Sequence, residues 1–416
     1  MPRRAESTAT PLGSRTPASP WRDLWALDPE VAFLNHGSFG ACPREVLAAQ
    51  DRWRERMERE PVRLFVRDLE GLLDGARAEL ARFLGAGPQD VAFVPNATAA
   101  VNAVLRSFPL GAGDEILATD HGYNACRNVC EYAATRAGAR VVVATVPFPL
   151  GAPGEVVDAV LAKVGPRTRL ALLDHVTSPT GLVWPIAQLV AALRDRGVET
   201  MVDGAHAPGM LPLEIDSIGA AFYTGNCHKW LCAPKGAGFL HVRRDWQSSV
   251  RPHVISDGAN PPVRDRSRFL LEFDWTGTLD PTPYLCVADA IRFLGSLLPG
   301  GWPELMASNR RLALAARGTL CAGLGIPPPA PAEMIGSLAT IPLPPALGGS
   351  KRSSQAPLGQ DPLQERLLER YGIQVPCFAW PGPPRRMIRV SAQLYNAPAE
   401  YERLAAALTD LLASSR

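Results

Sequence analysis

The stretch MVDGAHAPGM (Met201–Met210) and, after it, AAFYTGNCHKWLCAPKGAGFL (Ala220–Leu240) contain two short apolar runs. Each run ends in glycine and polar residues, a pattern typical of buried strands in a parallel sheet. Asp203 ends the first run, and Lys229 follows the second. Ligands of open parallel sheets bind beyond the carboxyl ends of the strands. The two side chains are therefore predicted to lie at one ligand-binding edge.

A carboxylate and a lysine amine at the same sheet edge indicate a particular cofactor. Pyridoxal 5'-phosphate has a cationic ring nitrogen that pairs with an acidic side chain, and an aldehyde that a lysine binds covalently. Asp203 supplies the carboxylate, and Lys229 supplies the amine beside His228. The sequence thus predicts pyridoxal phosphate on Lys229. Lys235, in a Pro-Lys-Gly-Ala-Gly turn, is the alternative lysine to be tested.

The composition limits the class of protein. The 416 residues suffice for about two or three domains. Since 43 basic and 41 acidic residues leave a net charge of +2, no nucleic-acid partner is expected. No apolar run reaches the ~18 residues of a membrane helix, so no membrane is expected. Eight scattered cysteines form no C-x-x-C pair, which predicts no metal site and a cytoplasmic protein with reduced thiols.

Short apolar runs alternate with helical segments over most of the chain, which predicts a parallel sheet with helices on both faces. The predicted strands before the second apolar run are 91–94, 115–118, 140–146, 170–173 and 200–202. The fold class is therefore α/β.

Eight motifs recur along the chain in a characteristic order. They are LNHGSFG (Leu34–Gly40), PNATAAVNAV (Pro95–Val104), DHGYNACR (Asp120–Arg127), DHVTSPTG (Asp174–Gly181), VDGAHAPG (Val202–Gly209), TGNCHKW (Thr224–Trp230), WTGT (Trp275–Thr278) and RVSAQLYN (Arg389–Asn396). Together they resemble the class V aminotransferase fold of pyridoxal-phosphate enzymes, and within it the isopenicillin N epimerase-like group. The resemblance implies fold type I, with a mostly parallel seven-stranded sheet in a large domain and a smaller C-terminal α/β domain.

The predicted domain organisation follows from this resemblance and from composition. Residues 1–20 are expected to form a disordered tail. Residues 21–283 form the cofactor-binding large domain, whose segment 21–68 approaches the active site in similar proteins. Residues 284–416 form the small domain, and within it 342–361, rich in Pro, Gly and Ser, is predicted to be a mobile loop.

The helix after strand 91–94 is predicted to bind the cofactor phosphate. Free N–H groups and the helix dipole at Ala97 and Thr98 attract an anion. A competing explanation is that Asn96 or Thr98 simply caps the helix. The resemblance places the phosphate here and adds Asn226 and His228 as contacts.

The remaining predicted cofactor contacts lie after other strands. By resemblance to cysteine desulfurases, His121 takes the position stacked on the cofactor ring, and Tyr123 is the alternative. Ser178 is predicted to hydrogen-bond the cofactor or the substrate, although an ordinary turn also explains its context. His206 matches the family position that contacts the 3′-oxygen of the ring.

Three further residues are predicted to contact the substrate or a second subunit. Arg389 aligns with the arginine that binds the substrate α-carboxylate, for which a guanidinium offers a two-pronged donor. His36 lies in a glycine loop that either approaches the substrate or forms a plain turn. The segment containing Thr278 resembles one that reaches the neighbouring subunit's active site, which implies a homodimer.

The chemistry predicted from these residues starts at the substrate α-carbon. Lys229 can take the Cα proton as a general base, and Asp203 keeps the cofactor ring protonated. Epimerase or aminotransferase chemistry on a small-molecule amino acid is the main prediction. The alternative is a C–S lyase resembling hercynylcysteine sulfoxide lyase or cysteine desulfurase, although Cys377 does not fall at the position of the desulfurase nucleophile. A protein of this fold that binds the cofactor without catalysis is disfavoured, because Asp203 and Lys229 are both present.

Overall fold

The structure, a computed structural model, describes residues 19–263, 265–347, 361–383 and 385–414. Most of the predicted N-terminal tail and residues 348–360 of the predicted loop lie outside the described residues.

Fourteen α-helical segments occur among the described residues: α1 (His36–Phe39), α2 (Arg44–Arg59), α3 (Pro61–Arg63), α4 (Leu69–Leu84), α5 (Ala97–Ser107), α6 (Asn124–Ala137), α7 (Gly154–Leu161), α8 (Ile186–Arg194), α9 (Ile215–Ile218), α10 (Arg268–Asp274), α11 (Thr282–Ser296), α12 (Gly301–Leu324), α13 (Pro362–Tyr371) and α14 (Pro398–Ala413). The strands are β1 (Ala32–Phe33), β2 (Val91–Val94), β3 (Glu115–Thr119), β4 (Arg140–Ala144), β5 (Thr168–Asp174), β6 (Glu199–Asp203), β7 (Phe222–Asn226), β8 (Gly238–Val242), β9 (Leu338–Leu343), β10 (Ile373–Gln374), β11 (Cys377–Ala379) and β12 (Arg386–Ser391).

Seven strands form the central sheet, in the order β2-β8-β7-β6-β5-β3-β4. Only β8 runs antiparallel to its neighbours within this sheet. The predicted mostly parallel seven-stranded sheet is confirmed. The strand β8, which the sequence analysis did not predict, follows Lys229 through a tight turn and places that lysine between two paired strands.

Both faces of this sheet are covered, which explains why its strands read as continuous apolar runs. On one face α5 and α6 contribute Val101, Val104 and Val129 to a buried cluster. On the other face α4, α7 and α8 contribute residues such as Leu80 and Leu189. The buried polar residues Asp174, Asp203 and Asn226 are the last residues of β5, β6 and β7 and lie at the carboxyl edge of the sheet.

A second sheet, in the order β11-β12-β9, is antiparallel and packs against α12 and α14. The short strand β1 pairs with β10, so the N-terminal segment is attached to the C-terminal part of the chain. In addition, α11 packs against α2 and α4. The domain boundary between residues 283 and 284 stays a prediction.

The described residues were considered for two features, a helix that could cross a membrane and a cluster of side chains that could bind a metal. No helix there is long and apolar enough to cross a membrane. No group of three or more His, Cys, Asp or Glu side chains among those same residues has the geometry to hold a metal ion.

Candidate active site

Lys229 and Asp203 are brought to the same edge of the central sheet by the adjacent strands β6 and β7. Asp203 is the last residue of β6, and Lys229 lies in the turn after β7, which ends at Asn226. The Nζ atom of Lys229 is 3.3 Å from Nε2 of His206, in the loop after β6. The sequence-predicted pair therefore lies where the parallel-sheet rule places a ligand.

The hydrogen bonds of His206 indicate the protonation state of Lys229. The indole N–H of Trp230 can only donate, so His206 accepts it at Nδ1, over 3.4 Å. A neutral imidazole then carries its proton on Nε2, where it can donate to the lysine amine when that amine is neutral. Burial lowers the pKa of Lys229 from 10.5 to about 8, and the nearby charge of Arg389 acts in the same direction. Lys229 is therefore suited to act as a nucleophile and a base.

The Asp203 carboxylate is held by two donors. The backbone N–H of Ala205 donates to Oδ1 over 2.9 Å, and the thiol of Cys126 donates to Oδ2 over 3.2 Å. Burial raises the pKa of the Cys126 thiol, which keeps it protonated and able to donate. Cys126 was not among the residues predicted for the site, because a lone cysteine on a helix gives no local sign of its partner.

The predicted phosphate site is assembled from the start of α5 and the end of β7. Asn226 accepts the Ala97 backbone N–H at Oδ1 over 2.9 Å, which leaves its side-chain amide free to donate. Asn96 accepts the N–H of Ala99 and is thus the helix cap. His228 donates from Nδ1 to the carbonyl of Ala237 over 2.7 Å. Asn226 thus lies against the first turn of α5, and the contacts of Thr98, Asn226 and His228 to phosphate remain predictions.

His121 and Tyr123 occupy different environments. His121 has no exposed surface, accepts from the Thr180 hydroxyl at Nδ1 over 2.8 Å, and donates from Nε2 to the carbonyl of Val146 over 3.1 Å. Its ring lies edge-on to Trp380, with 4.6 Å between ring centres. Tyr123, by contrast, is 45% exposed. Which ring stacks on the cofactor stays open. Trp380, also missed from the sequence, holds His121 in place from the loop after β11.

Arg389 is a buried cation without a counter-ion among the described residues. Its guanidinium donates to the carbonyl and hydroxyl groups of Ser178 and, over 3.2 Å, to the hydroxyl of Ser38. Its Nε atom has no hydrogen-bond partner within the described part of the chain. Burial lowers the pKa of Arg389 to about 10, so the group still carries its charge at neutral pH. Ser178, predicted to hydrogen-bond the cofactor or the substrate, thus lies against Arg389, and its contact with either stays a prediction.

His36 contacts the backbone of Lys229. It donates from Nε2 to the carbonyl of Lys229 over 2.9 Å and accepts from the Tyr395 hydroxyl at Nδ1 over 2.8 Å. Burial lowers the pKa of His36 to about 3, so it remains neutral. Next to it, Gly40 has φ +72°, and a Cβ there would lie 2.1 Å from the carbonyl oxygen of His228. One ring nitrogen of His36 thus binds the backbone of Lys229 and the other binds Tyr395, so we assign His36 a positioning role, and its contact with the substrate stays a prediction.

Thr278 lies apart from this group of residues. It is exposed and lies at a cavity of about 280 Å³ that is also lined by Phe65, Val94, His253 and Trp275. Among the described hydrogen bonds, none joins Thr278 to the residues around Lys229. Its predicted contact with the cofactor therefore requires a second subunit.

The donor set at the sheet edge fits pyridoxal phosphate. A buried amine with a lowered pKa, a buried carboxylate and a helix start with an additional side-chain amide match the aldehyde, ring nitrogen and phosphate of that cofactor. The three sites come from different elements, β7, β6 and α5, and all three face the carboxyl edge of the sheet.

Comparison with known proteins agrees with this geometry. The chain matches the aminotransferase class-V family over residues 41–268, which is more than half of its length. It belongs to that family and is a pyridoxal-phosphate-dependent enzyme. The family and cofactor predicted from the motifs are thereby confirmed.

Individual relatives cover nearly the whole chain. The isopenicillin N epimerase of Amycolatopsis lactamdurans is 40% identical over 406 residues, which cover 94% of this chain and 97% of the relative. The counterpart from Streptomyces clavuligerus is 37% identical over 94% of this chain and 97% of the relative. A probable chloroplastic L-cysteine desulfhydrase of Arabidopsis thaliana is 32% identical over 92% of this chain and 84% of the relative.

Solved structures share the fold at lower sequence identity. The cystine C–S lyase C-DES, solved in complex with its product cysteine persulfide, has a TM-score of 0.74 at 21% identity and covers 91% of this chain and 97% of its own. A cysteine desulfurase from Thermococcus onnurineus has a TM-score of 0.76 at 18% identity and covers 96% of this chain and all of its own. These structures confirm fold type I.

Proposed function

We propose that the enzyme acts at the α-carbon of an amino-acid substrate, which it binds by its carboxylate. The observation that carries this proposal is Arg389, a buried guanidinium with a free Nε and no acidic partner among the described residues. A buried charge without a partner is costly, and a substrate carboxylate would remove that cost. The charge of Arg389 also lowers the pKa of Lys229, so the two groups face the same space.

Each residue of the site then has a defined task. Arg389 orients the substrate, and Lys229 takes the proton from its α-carbon as a neutral amine. His206, which donates to that amine, fixes its direction, and His36 fixes the backbone that carries it. Pyridoxal phosphate, when bound, supplies a protonated ring that accepts electrons from the α-carbon, and Asp203 keeps the ring protonated.

Epimerisation is the first outcome we propose, because the most similar of the described relatives are isopenicillin N epimerases at 40% and 37% identity. Cleavage of a C–S bond is the second, since the cysteine desulfhydrase relative is 32% identical. Purified enzyme should be incubated in deuterium oxide with isopenicillin N, with D- and L-amino acids and with L-cysteine. Deuterium at Cα with inverted configuration supports epimerisation, whereas release of pyruvate and sulfide supports lyase chemistry.

The desulfurase variant of the alternative makes a separate prediction. Cys377 is the first residue of β11, is 4% exposed and packs within the core of the small sheet. Burial raises the pKa of its thiol, so it is neither accessible nor ionised. We expect Cys377→Ser to leave turnover near the wild-type rate, since Cys377 packs in the core of the small sheet and no described hydrogen bond joins its side chain to the residues around Lys229. If Cys377→Ser lost sulfur transfer from L-cysteine while the wild type retained it, a persulfide mechanism would replace the proposed chemistry at the α-carbon.

Arg389→Ala is expected to weaken amino-acid binding about ten- to a hundredfold. Hydrogen bonds to charged groups contribute about 1.5–3 kcal/mol, and about 1.4 kcal/mol corresponds to a factor of ten. Arg389→Lys should recover only part of the affinity, because an ammonium cannot make the two-pronged contact. Titration of the cofactor absorbance with amino acid measures both. The exposed neighbour Arg385 provides the control, and Arg385→Ala should bind normally. If Arg389→Ala, Arg389→Lys and Arg385→Ala all bound amino acids with equal affinity, the role assigned to Arg389 would be refuted.

We further propose that the active unit is a homodimer. The exposed residues Val62 (74%), Val66 (76%) and Ile255 (60%) adjoin the segments that line the cavity at Thr278. An exposed apolar patch of this kind marks an interaction surface. Sedimentation equilibrium is expected to give twice the chain mass, and Val66→Asp should shift the protein towards monomer. A wild-type monomer with full activity would contradict the proposal.

A further inference from the structure

Asp203 is accompanied by a second carboxyl group, Asp174, at the end of the neighbouring strand. β5 and β6 are parallel, and Asp174 pairs in register with Asp203. Residues paired in this way project from the same face of the sheet, and neighbouring strands lie about 4.8 Å apart. The two side chains are 5% and 3% exposed, respectively. Two carboxyl groups are thus buried side by side where one cofactor nitrogen is expected.

The two carboxyl groups of the pair receive different hydrogen-bond donors. Asp203 receives the thiol proton of Cys126 and the N–H of Ala205, one on each oxygen. Asp174 receives its own backbone N–H and that of Tyr123, at the start of α6. Both carboxyl groups therefore lie against the start of α6, but among the described hydrogen bonds only Asp203 receives a side-chain donor, the thiol of Cys126.

Two neighbouring carboxylates in one buried site cannot both ionise, and one of them retains its proton. Burial, together with the charge of Asp203, raises the pKa of Asp174 well above its usual range. The proton of the pair consequently belongs on Asp174.

We propose that Asp174 and Cys126 are positioning residues for Asp203: Asp174 holds the single proton of the pair, and the Cys126 thiol fixes Asp203 as the anion that faces the cofactor nitrogen. This inference rests on the proposed role of Asp203. It goes further by naming what keeps that carboxylate charged and oriented. A thiol is a weak donor, so it orients the carboxylate while withdrawing little of its charge.

The location of the proton can be measured directly. Infrared spectra of the holoenzyme at neutral pH should contain the C=O stretch of a protonated carboxylic acid, and this band should be missing from Asp174→Asn. A band that persists in Asp174→Asn, or its absence from the wild type, would overturn the proposal. This readout does not depend on turnover.

The positioning role of Cys126 is tested with a matched pair of variants on α6. Cys130 is also buried, one helical turn further along, and makes no described hydrogen bond to Asp203. Cys126→Ala is expected to lower kcat for Cα-proton exchange about three- to tenfold with unchanged KM, as loss of one hydrogen bond predicts. Cys126→Ser should restore most of the rate, and Cys130→Ala should match the wild type. Equal rates in Cys126→Ala and Cys130→Ala would refute the role.

Asp203→Asn distinguishes a failure of the proposed role of Asp203 from a failure of the inference about the Asp174–Asp203 pair. If that variant exchanges the Cα proton at the wild-type rate, the proposed function of Asp203 fails. If it loses exchange while Asp174→Asn keeps the carboxylic-acid band, only the inference about the pair fails.

Discussion

Lys229→Ala is expected to lose covalent attachment of the cofactor and to slow Cα-proton exchange about 10²- to 10⁴-fold, the range that a positioned general base contributes. The residual rate comes from the cofactor ring and from Arg389, which stay in place. Borohydride treatment of the wild type should fix the cofactor on a single peptide, and mass spectrometry should locate it at Lys229. The same treatment of Lys229→Ala should label nothing.

Lys235 provides the control for this experiment. It is exposed and lies six residues further along the chain, in the turn before β8. Lys235→Ala should therefore retain both the label and the rate. A label on Lys235 in the wild type would refute the assignment.

The lowered pKa of Lys229 gives the experiment a pH signature. An amine reacts with an aldehyde in its neutral form, and burial places the pKa of this amine at about 8 instead of 10.5. Uptake of pyridoxal phosphate by the apoprotein is expected to accelerate with rising pH and to level off above pH about 8. Continued acceleration to pH about 10.5 would indicate an ordinary solvated lysine.

The strand ends could be predicted from the sequence because they obey a local rule. An apolar run followed by glycine and a polar residue predicts a buried parallel strand and its carboxyl end. Asp203 and Lys229 were found in this way, and the register of β6 and β7 confirms that they share an edge. The start of α5 was also readable, since Asn96 is both a cap and the marker of a helix N-terminus.

Contacts between distant elements could not be predicted in this way. Ser178 follows β5 and was predicted to bind the cofactor or the substrate, but the sequence does not show that its carbonyl and hydroxyl bind Arg389 on β12. His36 was predicted either to approach the substrate or to lie in a plain turn, and the sequence does not show that its nitrogens bind Lys229 and Tyr395. In each case the residue type was suggestive, and its partner depends on how β12 and the N-terminal segment pack against the sheet. Periodicity along the chain carries no information about that packing.

The contact between Cys126 and Asp203 could not be predicted from the sequence for the same reason. Helical spacing correctly places Cys126 on the buried face of α6. It does not reveal that this face meets the last residue of β6, because α6 and β6 are separated in the chain by β4 and β5. The residues that orient the catalytic groups were thus the ones missed, whereas the residues proposed to perform the chemistry were found.

Asp203→Asn is expected to keep the cofactor and to lose most of the chemistry. An amide matches the shape of the carboxylate and can still accept the N–H of Ala205, but it carries no charge. The phosphate contacts proposed for Thr98, Asn226 and His228 are unchanged, so cofactor content should remain near one per chain. Removal of a group that stabilises charge in the reacting state typically costs about 10²- to 10³-fold in kcat, and we expect Cα-proton exchange to fall by that factor.

Cα-proton exchange in deuterium oxide, followed by NMR, measures this loss, and cofactor absorbance measures the content. Asp195→Asn makes the same chemical change at an exposed position just before β6 and should leave both quantities unchanged. Because Arg389 is untouched, the Asp203 variant should still bind amino acids with near-normal affinity, which separates its defect from that of Arg389→Ala. An exchange rate equal to that of the wild type would mean that the ring nitrogen needs no charged partner in this enzyme, and the role of Asp203 would then be limited to receiving the hydrogen bonds of Cys126 and Ala205.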